Sequence, residues 1–493
     1  MSNAEAAAKA VQSVLIKNMN SNHDLLLVKL FTEALGHQFQ GNQISALIAY
    51  KRIQRQFPDF VDAWTNASVA LYDMGRYYEA LDVALRAVEL DAENPSAYCA
   101  LANACQSLGD FNGAVVNFRK ALEICPTHFP ALTNLAELYA NQGYFAEALD
   151  LYSRAIQVQP SNSVAWENRG YTRMYTLDMA GAEADLKHAL ELDGNNTSAH
   201  RLLGIVYLLQ YRYLEAWSVL NKIPPPWWNV TKRDFGKPHW VGEPLNGRTL
   251  LVYTDHRGFG DAIQFARFFP LRNNNGSRVL LLIHEPLKRL LTGLPGVDAL
   301  LIDGEPLPPF DLVAPLMDLL VILNIDSPEI PPPLRISSKS RPLAELDRTG
   351  FKIGLVWAAN HALRSINPRL LDELADIPGV AWYGLQLPRS DEPPNLPGFI
   401  DMSPHMGDFM DTAQIAEQMD LIVTVDTSMA HLAGSLGVPA FVLLPYLPDW
   451  RWGLNSQHTP WYPYPEYLLI RQSKYDCWQR AISLLKERII ELT

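Results

Sequence analysis

A period of 34 residues runs through the first half of the chain and constrains its fold more than any other feature. Blocks begin at Val61, Pro95, Phe129, Ser163 and Thr197. The third position of each is an alanine (Ala63, Ala97, Ala131, Ala165, Ala199), and so is the twentieth (Ala80, Ala114, Ala148, Ala182, Ala216). Gly75, Gly109 and Gly143 hold the fifteenth position, which Leu177 and Tyr211 take in the last two blocks. A weaker block starts at Leu27, with Gly41 and Ala46 in register. Pro58, Pro126 and Pro160 sit near block ends, where a residue without an N–H stops a helix. Alanines let two helices approach closely, glycine turns the chain, and each unit must stack on the next to bury its apolar face. The expectation is a helical solenoid over residues 27–223, preceded by a helical segment at 1–26. IPPPWWNV cannot continue a helix and opens a linker at 224–247.

This pattern resembles the tetratricopeptide repeat (TPR). The resemblance implies a concave groove suited to an extended peptide or a partner helix, and hence a protein partner. Asn66, Asn134 and Asn168 share the sixth position of their blocks, and Asn103 lies about one turn beyond Ala100 in the block that breaks the series. Asparagines a repeat apart can pair with a peptide backbone, as they do in related solenoids. They can equally satisfy neighbouring turns.

At 493 residues the chain exceeds one core, and 48% hydrophobic with 19% charged residues is the composition of an ordinary soluble protein. No window approaches eighteen consecutive apolar residues, so no membrane span is expected. MSNAEAAAKAVQSVLIKNMN has no basic cluster leading into an apolar run, which speaks against a secretory signal. Cys99, Cys105, Cys125 and Cys477 form no CxxC pair or metal spacing, as suits a reducing cytoplasm. A net charge of −12 argues against non-specific nucleic-acid binding.

The second half changes character. Strands are expected at 250–253, 279–283, 299–302, 353–357, 382–385, 421–425 and 440–444, with helices between most of them, for example at 262–269, 370–375 and 412–417. Such alternation predicts parallel sheets covered by helices, with ligands at the carboxyl ends of the strands. Two doubly wound halves, 248–345 and 346–475, would meet near the polar segment SSKSRPLAELDRTG. Trp478, Ile482, Leu485 and Ile489 mark residues 476–493 as an amphipathic helix. It is expected to cross back to the first half, with membrane attachment as the lesser reading.

The segment VTVDTSMAHLAGSLGVP, Val423–Pro439, joins an apolar strand to a small-residue helix through Asp426-Thr427-Ser428. A helix start carries unpaired N–H groups and a positive dipole end, so it can receive a phosphate. Thr427 and Ser428 would add hydroxyls, with His431 about one turn further on. The plainer reading makes one of the three an N-cap, worth about 1 kcal/mol.

RTLLVYTDHRGFGDAIQFARFFP, PPFDLVAPLMDLL, KIGLVWAAN, the long segment DFMDTAQIAEQMDLIVTVDTSMAHLAGSLGVPAFVLLPYLPDWRWG and TPWYPYPEYLLIRQ together resemble the heptosyltransferase-like glycosyltransferase domains of bacterial TPR proteins. The resemblance implies an α-helical TPR solenoid followed by an α/β GT-B unit of two Rossmann-like domains, with a nucleotide-sugar donor in the cleft. It implies Asp261, beside Gly260, as the general base, with helix capping as its structural alternative. It makes Asp426, Thr427, Ser428 and His431 a diphosphate-binding element, and Arg364, near Asn360, His361 and Ser365, the cation on the leaving phosphate. Relatives usually have a lysine in that loop, and this chain has none.

Gln386 would lie against the base. Asp408 and Asp411 are better read as capping the next helix, and Arg451 as a secondary donor contact. No metal is expected, because no DxD-type pair stands beside the diphosphate element. The implied activity is sugar transfer to a serine or threonine hydroxyl of a protein, flagellin among the candidates. The rivals are a non-catalytic scaffold and transfer to a glycan or lipopolysaccharide.

Overall fold

The computed structural model describes residues 22–223, 233–254, 258–271, 276–325, 343–346, 349–360, 362–387, 392–454 and 456–493. Most of the expected segment 1–26, IPPPWWNV beyond Ile223, the loop at 255–257, most of the segment expected to join the two halves, and His361 lie outside the described residues.

The chain forms two compact units, Met1–Thr176 and Leu177–Thr493. The first is built of paired helices: Asn22–Phe39 with Gln43–Gln56, Val61–Asp73 with Tyr77–Leu90, Pro95–Ser107 with Phe111–Ile124, Phe129–Asn141 with Phe145–Val158, and then Ser163–Tyr175. The alanines expected at the helix crossings are at most 1% exposed, so larger side chains would have to push the pairs apart. Asn94 and Asn162 cap their helices by accepting from the N–H of Ala97 and Ala165. Gly41, Gly75, Gly109 and Gly143 hold φ between 73° and 83°, the left-handed turn that glycine adopts without strain. Leu177 and Tyr211 take φ 59° at the same place, so the turn geometry survives loss of the glycine.

The second unit begins with three more repeat helices, Met179–Leu192, Thr197–Leu209 and Tyr213–Leu220. These were expected to close an independent solenoid at 223, yet they belong to the α/β unit. The Trp217 indole, buried, donates to the Ile325 carbonyl at 2.6 Å.

Two all-parallel sheets follow. The first has the order β3-β2-β1-β4, where β1 is Thr249–Tyr253, β2 Arg278–Ile283, β3 Ala299–Ile302 and β4 Leu312–Pro315. The second has the order β10-β9-β8-β5-β6-β7, from β5 Phe351–Val356, β6 Val380–Gly384, β7 Ile400–Asp401, β8 Leu421–Val425, β9 Ala440–Leu444 and β10 Tyr467–Arg471. Counted from β5, that order is the doubly wound 3-2-1-4-5-6, whose direction reverses between β5 and β8. β8 and β9 are buried along their whole length, which is why they read as unbroken apolar runs rather than as alternation.

Strands β4, β7 and β10 fall where no strand was anticipated. Two further expectations are corrected. The segment taken as a linker joins the first sheet: His239 bridges Val313, and the Trp240 N–H donates to the Val313 carbonyl at 2.8 Å. Phe235 packs on the same core. The last helix, Gln479–Ile490, does not cross to the first half. Ile482, Leu485 and Ile489 are buried with Leu371, Leu374 and Ile377 in the core of the second half, because that face of the sheet offers the apolar surface their spacing requires.

Candidate functional site

The direction reversal between β5 and β8 opens on a cavity of about 700 Å³, within the size range of small-molecule sites. Its walls come from the carboxyl ends of the strands: Gly258–Asp261 after β1, Ala358–Asn360 and Arg364 after β5, Leu385 and Leu387 after β6, Asp426–Ser428 after β8, and Asp449 with Arg451 after β9.

β8 hands over to the helix Ser428–Leu436 through a built N-terminus. Thr427 is the cap: its hydroxyl accepts from the Met429 N–H at 3.3 Å, and its carbonyl accepts from the Ala430 N–H. The Thr424 hydroxyl donates to the Val425 carbonyl, so in the 3.1 Å contact between the two threonines Thr427 is the donor. The Thr427 hydroxyl is thereby committed, and Ser428 lines the cavity beside it. Gly437, at φ 75°, ends the helix as expected.

Asp426 is buried and accepts from Arg364 Nη1 at 3.2 Å. Burial first, and the Asp449 charge second, push its carboxyl up to about 6 against the pull of Arg364. His431 is 5% exposed, stacks on Trp452 at 5.3 Å between centroids, and shares a 3.0 Å hydrogen bond with the Tyr462 hydroxyl through Nδ1. Burial and the Arg451 charge hold it well below the ordinary imidazole range, so it is neutral. Tyr462, pushed up to about 12 by burial, keeps its proton.

Asp261 stands in the first turn of the helix Phe259–Phe265, which Gly258 begins without a side-chain cap. Asp261 is therefore not the cap of that helix. It is ion-paired with Arg451 Nη2. Arg451 also donates through Nε to Gln264 Oε1 at 2.7 Å and through Nη1 to Asp449 Oδ1 at 2.8 Å. Its guanidinium lies 4.7 Å from the Trp450 ring centroid and 5.3 Å from that of Phe265. Burial alone would lower Arg451; the surrounding carboxylates outweigh it and hold the group above its ordinary value. Burial likewise pushes Asp449 up, and Arg451 more than reverses that.

Gly260 has a packing role. A methyl group there would fall 2.8 Å from His431 Cδ2 and 3.3 Å from Ser428 Cα, so glycine is what lets the two helix starts meet. A second bridge spans the cleft where Arg289 pairs with Asp408 and Asp411, each at 2.9 Å, and Phe259 packs on Phe409 at 5.1 Å. Asp408 caps the helix Phe409–Ala416 by accepting from the N–H groups of Met410 and Asp411, as expected, whereas Asp411 lies inside its first turn and pairs with Arg289 instead of capping.

The cavity thus gathers Asp261, Gly260, Arg364, Asp426, Thr427, Ser428 and His431. Gln386 is the correction: its Oε1 accepts from the N–H groups of Trp357 and Ala358, and its Nε2 donates to the Ala358 and Leu387 carbonyls. With its amide spent on the backbone, it braces the loop after β5. Ser365 braces the same loop by accepting from the Ala359 N–H at 2.9 Å. Asp449 and Tyr462 were not among the expected site residues, and Arg451, expected as a secondary donor contact, holds the ion pairs of the cavity. The visible signal was Asp-Trp-Arg-Trp, an acid and a base set among tryptophans just past an apolar strand.

In the repeat unit, Asn134 Nδ2 donates to Asn103 Oδ1 at 3.0 Å across adjacent repeats, and Asn66 Nδ2 donates to the Asp62 carbonyl in its own helix. All four asparagines, Asn168 included, are half-buried. Their hydrogen bonds are compatible with either reading of these residues. Among the described residues, no helix is long and apolar enough to cross a membrane.

Residues 31–95, 95–128 and 129–162 match the tetratricopeptide repeat, so the chain carries these repeats. Protein FlbA of Caulobacter vibrioides is 22% identical over 97% of this chain and 88% of its own length. Protein O-mannosyl-transferase TMTC3 of Homo sapiens is 28% identical over 35% of this chain and 20% of its own. The probable UDP-N-acetylglucosamine–peptide N-acetylglucosaminyltransferase SPINDLY of Hordeum vulgare is 27% identical over 31% of this chain and 17% of its own. The chain therefore spans most of FlbA but a fifth or less of the two transferases.

Proposed function

We propose that the α/β region is a GT-B glycosyltransferase that moves a sugar from a nucleotide-sugar donor to a serine or threonine hydroxyl of a protein selected by the repeats. The observation that carries this reading is one cavity with Asp261 on one wall and the Ser428 helix start, with Arg364, on the other. The repeats support a protein acceptor, and two partial relatives whose names state transfer to proteins agree with it. The cytoplasm is the compartment proposed for it, and flagellin is one candidate acceptor.

In this reading the donor diphosphate rests on the free Ser428 N–H and hydroxyl, with Arg364 neutralising it. The acceptor oxygen attacks the anomeric carbon, the carbon–phosphate oxygen bond breaks, and the acceptor proton passes to Asp261. Inversion at that carbon follows from the family resemblance. Arginines and the helix start carry the leaving charge, so the proposal needs no metal. Asp261 is paired with Arg451 in the ligand-free protein, and the incoming diphosphate would compete with it for that guanidinium.

The test is turnover of UDP, GDP, ADP and CMP sugars chosen by thermal shift, since a ligand that binds the folded state raises the melting point. Asp261→Ala should abolish turnover while leaving nucleotide binding in place. The scaffold reading is favoured by the Arg451–Asp261 pair and by the missing lysine; binding of a protein partner with no turnover of any activated sugar would establish it. Removing residues 1–176 separates acceptor classes, because a glycan acceptor should survive that loss and a protein acceptor should not. The cut belongs at 176, since residues 177–223 pack into the α/β unit.

A further inference from the structure

The last helix–turn–helix unit is joined to the site by its turn. Tyr211 stands where the earlier units up to Gly143 have glycine and takes the left-handed φ of 59°. A side chain in that conformation costs on the order of 1 kcal/mol. The ring meets Gly453: a methyl group on Gly453 would fall 2.4 Å from both Cζ and the hydroxyl oxygen of Tyr211. Gly453 itself holds φ 58° and ψ −171°, a region open essentially to glycine alone. The turn is also pinned to β10, because Arg471 Nη2 donates to the carbonyls of Trp452 at 2.6 Å and Gly453 at 3.2 Å.

Behind the ring, Tyr211 stacks on Tyr213 at 6.2 Å and Tyr213 packs on Trp217 at 6.0 Å. Trp217 in turn holds the Ile325 carbonyl. The repeat therefore grips the first half through Ile325 and the second through the turn Trp450–Gly453. That turn carries the arginine paired with Asp261 and the tryptophan stacked on His431.

We infer that Tyr211 is a positioning residue: its ring sets the Trp450–Gly453 turn, and through it Arg451 and Trp452, so the last repeat is a working part of the site. Its catalytic consequence rests on the glycosyltransferase reading; its structural consequence does not.

The experiment compares full-length wild type with Tyr211→Gly, Tyr211→Phe and Leu177→Gly, the last removing the other non-glycine turn residue. Tyr211→Leu, which keeps most of the buried volume, replaces the glycine variant if that one does not fold. Hydrogen exchange at the amides of Arg451, Trp452 and Gly453, calorimetric binding of inorganic pyrophosphate, and kcat with KM are read on each. Tyr211→Gly should speed exchange at those three amides by about tenfold or more while β8 and β9 keep their protection. It should lower kcat by a similar factor with KM little changed, and Tyr211→Phe and Leu177→Gly should match wild type. Exchange left unchanged at the three amides, or raised equally across the whole unit, overturns the inference. A local exchange response in a protein that turns over no activated sugar keeps the inference and sinks the glycosyltransferase reading.

Discussion

Arg451 and Asp261 lie 190 residues apart in sequence and form an ion pair across the cleft between two parallel sheets. The same guanidinium holds Gln264 on the first half and Asp449 on the second, so one buried side chain fastens both walls of the cavity. Replacing it with a neutral residue removes the guanidinium with which both Asp261 and Asp449 are paired. Arg451→Gln should destabilise the α/β unit by about 3 kcal/mol, and Arg451→Lys by less, because an ammonium can serve only part of the fork. Denaturant midpoints of the three proteins check this; an Arg451→Gln midpoint equal to wild type would mean the bridge carries no stability.

Gly260 is filled from the other side by His431 and the Ser428 backbone. Gly260→Ala must push the two helix starts apart, at roughly 1–3 kcal/mol. The expected result is a lower melting temperature together with weaker diphosphate binding, whereas Gly304→Ala, whose Cβ meets open space but whose φ is 96°, should lower only the melting temperature. Unchanged diphosphate binding in Gly260→Ala would show that the helix contact does not shape the site.

Burial, with Asp449 beside it and Arg364 opposing, raises Asp426 from 3.8 to about 6. The folded chain therefore binds this proton more readily than the unfolded one. The resulting stability is present below about pH 4 and lost as pH rises through about 6. Asp426→Asn removes the cost of the buried charge and should stabilise the ligand-free protein by roughly 1–3 kcal/mol at pH 7.5, with little gain at pH 4. Thermal unfolding at the two pH values decides it: an equal shift at both would take the charge out of the account.

Trp217→Phe keeps an aromatic ring but loses the pyrrole part of the indole, leaving the buried Ile325 carbonyl without its donor. A loss of about 1–3 kcal/mol in the α/β unit is expected. Asn66→Ala, which removes only a half-buried residue's hydrogen bond within its own helix, should cost far less. Differential scanning calorimetry separates them, and comparable losses in both would deny the repeat its anchoring role.

The repeat array was legible because its determinant is local and periodic: alanine where helices cross and a left-handed turn between them. Every expected block start from Val61 onward begins a helix. β8 and β9 were legible for a related reason, since a strand buried on both faces must be apolar throughout. The capping of the Phe409–Ala416 helix by Asp408 was also readable from adjacent residues alone.

What stayed hidden depends on partners distant in the chain. β4 and β10 were not anticipated as strands, and pairing with β1 and β9 makes them so. Gln386 looked like a ligand contact because strand-end polar residues often are, but its amide is consumed by the neighbouring loop. Arg451 looked like one charge among aromatics until Asp261, Gln264 and Asp449 closed around it.

By itself, the amino-acid sequence determined the repeating helices, the strands buried on both faces and the residue types at their carboxyl ends, because period, apolar run and cap are properties of neighbouring residues. Only the tertiary structure decided that the last repeat belongs with the α/β unit, that Gly260 is a contact surface, and that one arginine ties the cavity walls together. Those outcomes are set by which surfaces fit and which buried charges find partners, and neither is written in any short stretch of chain.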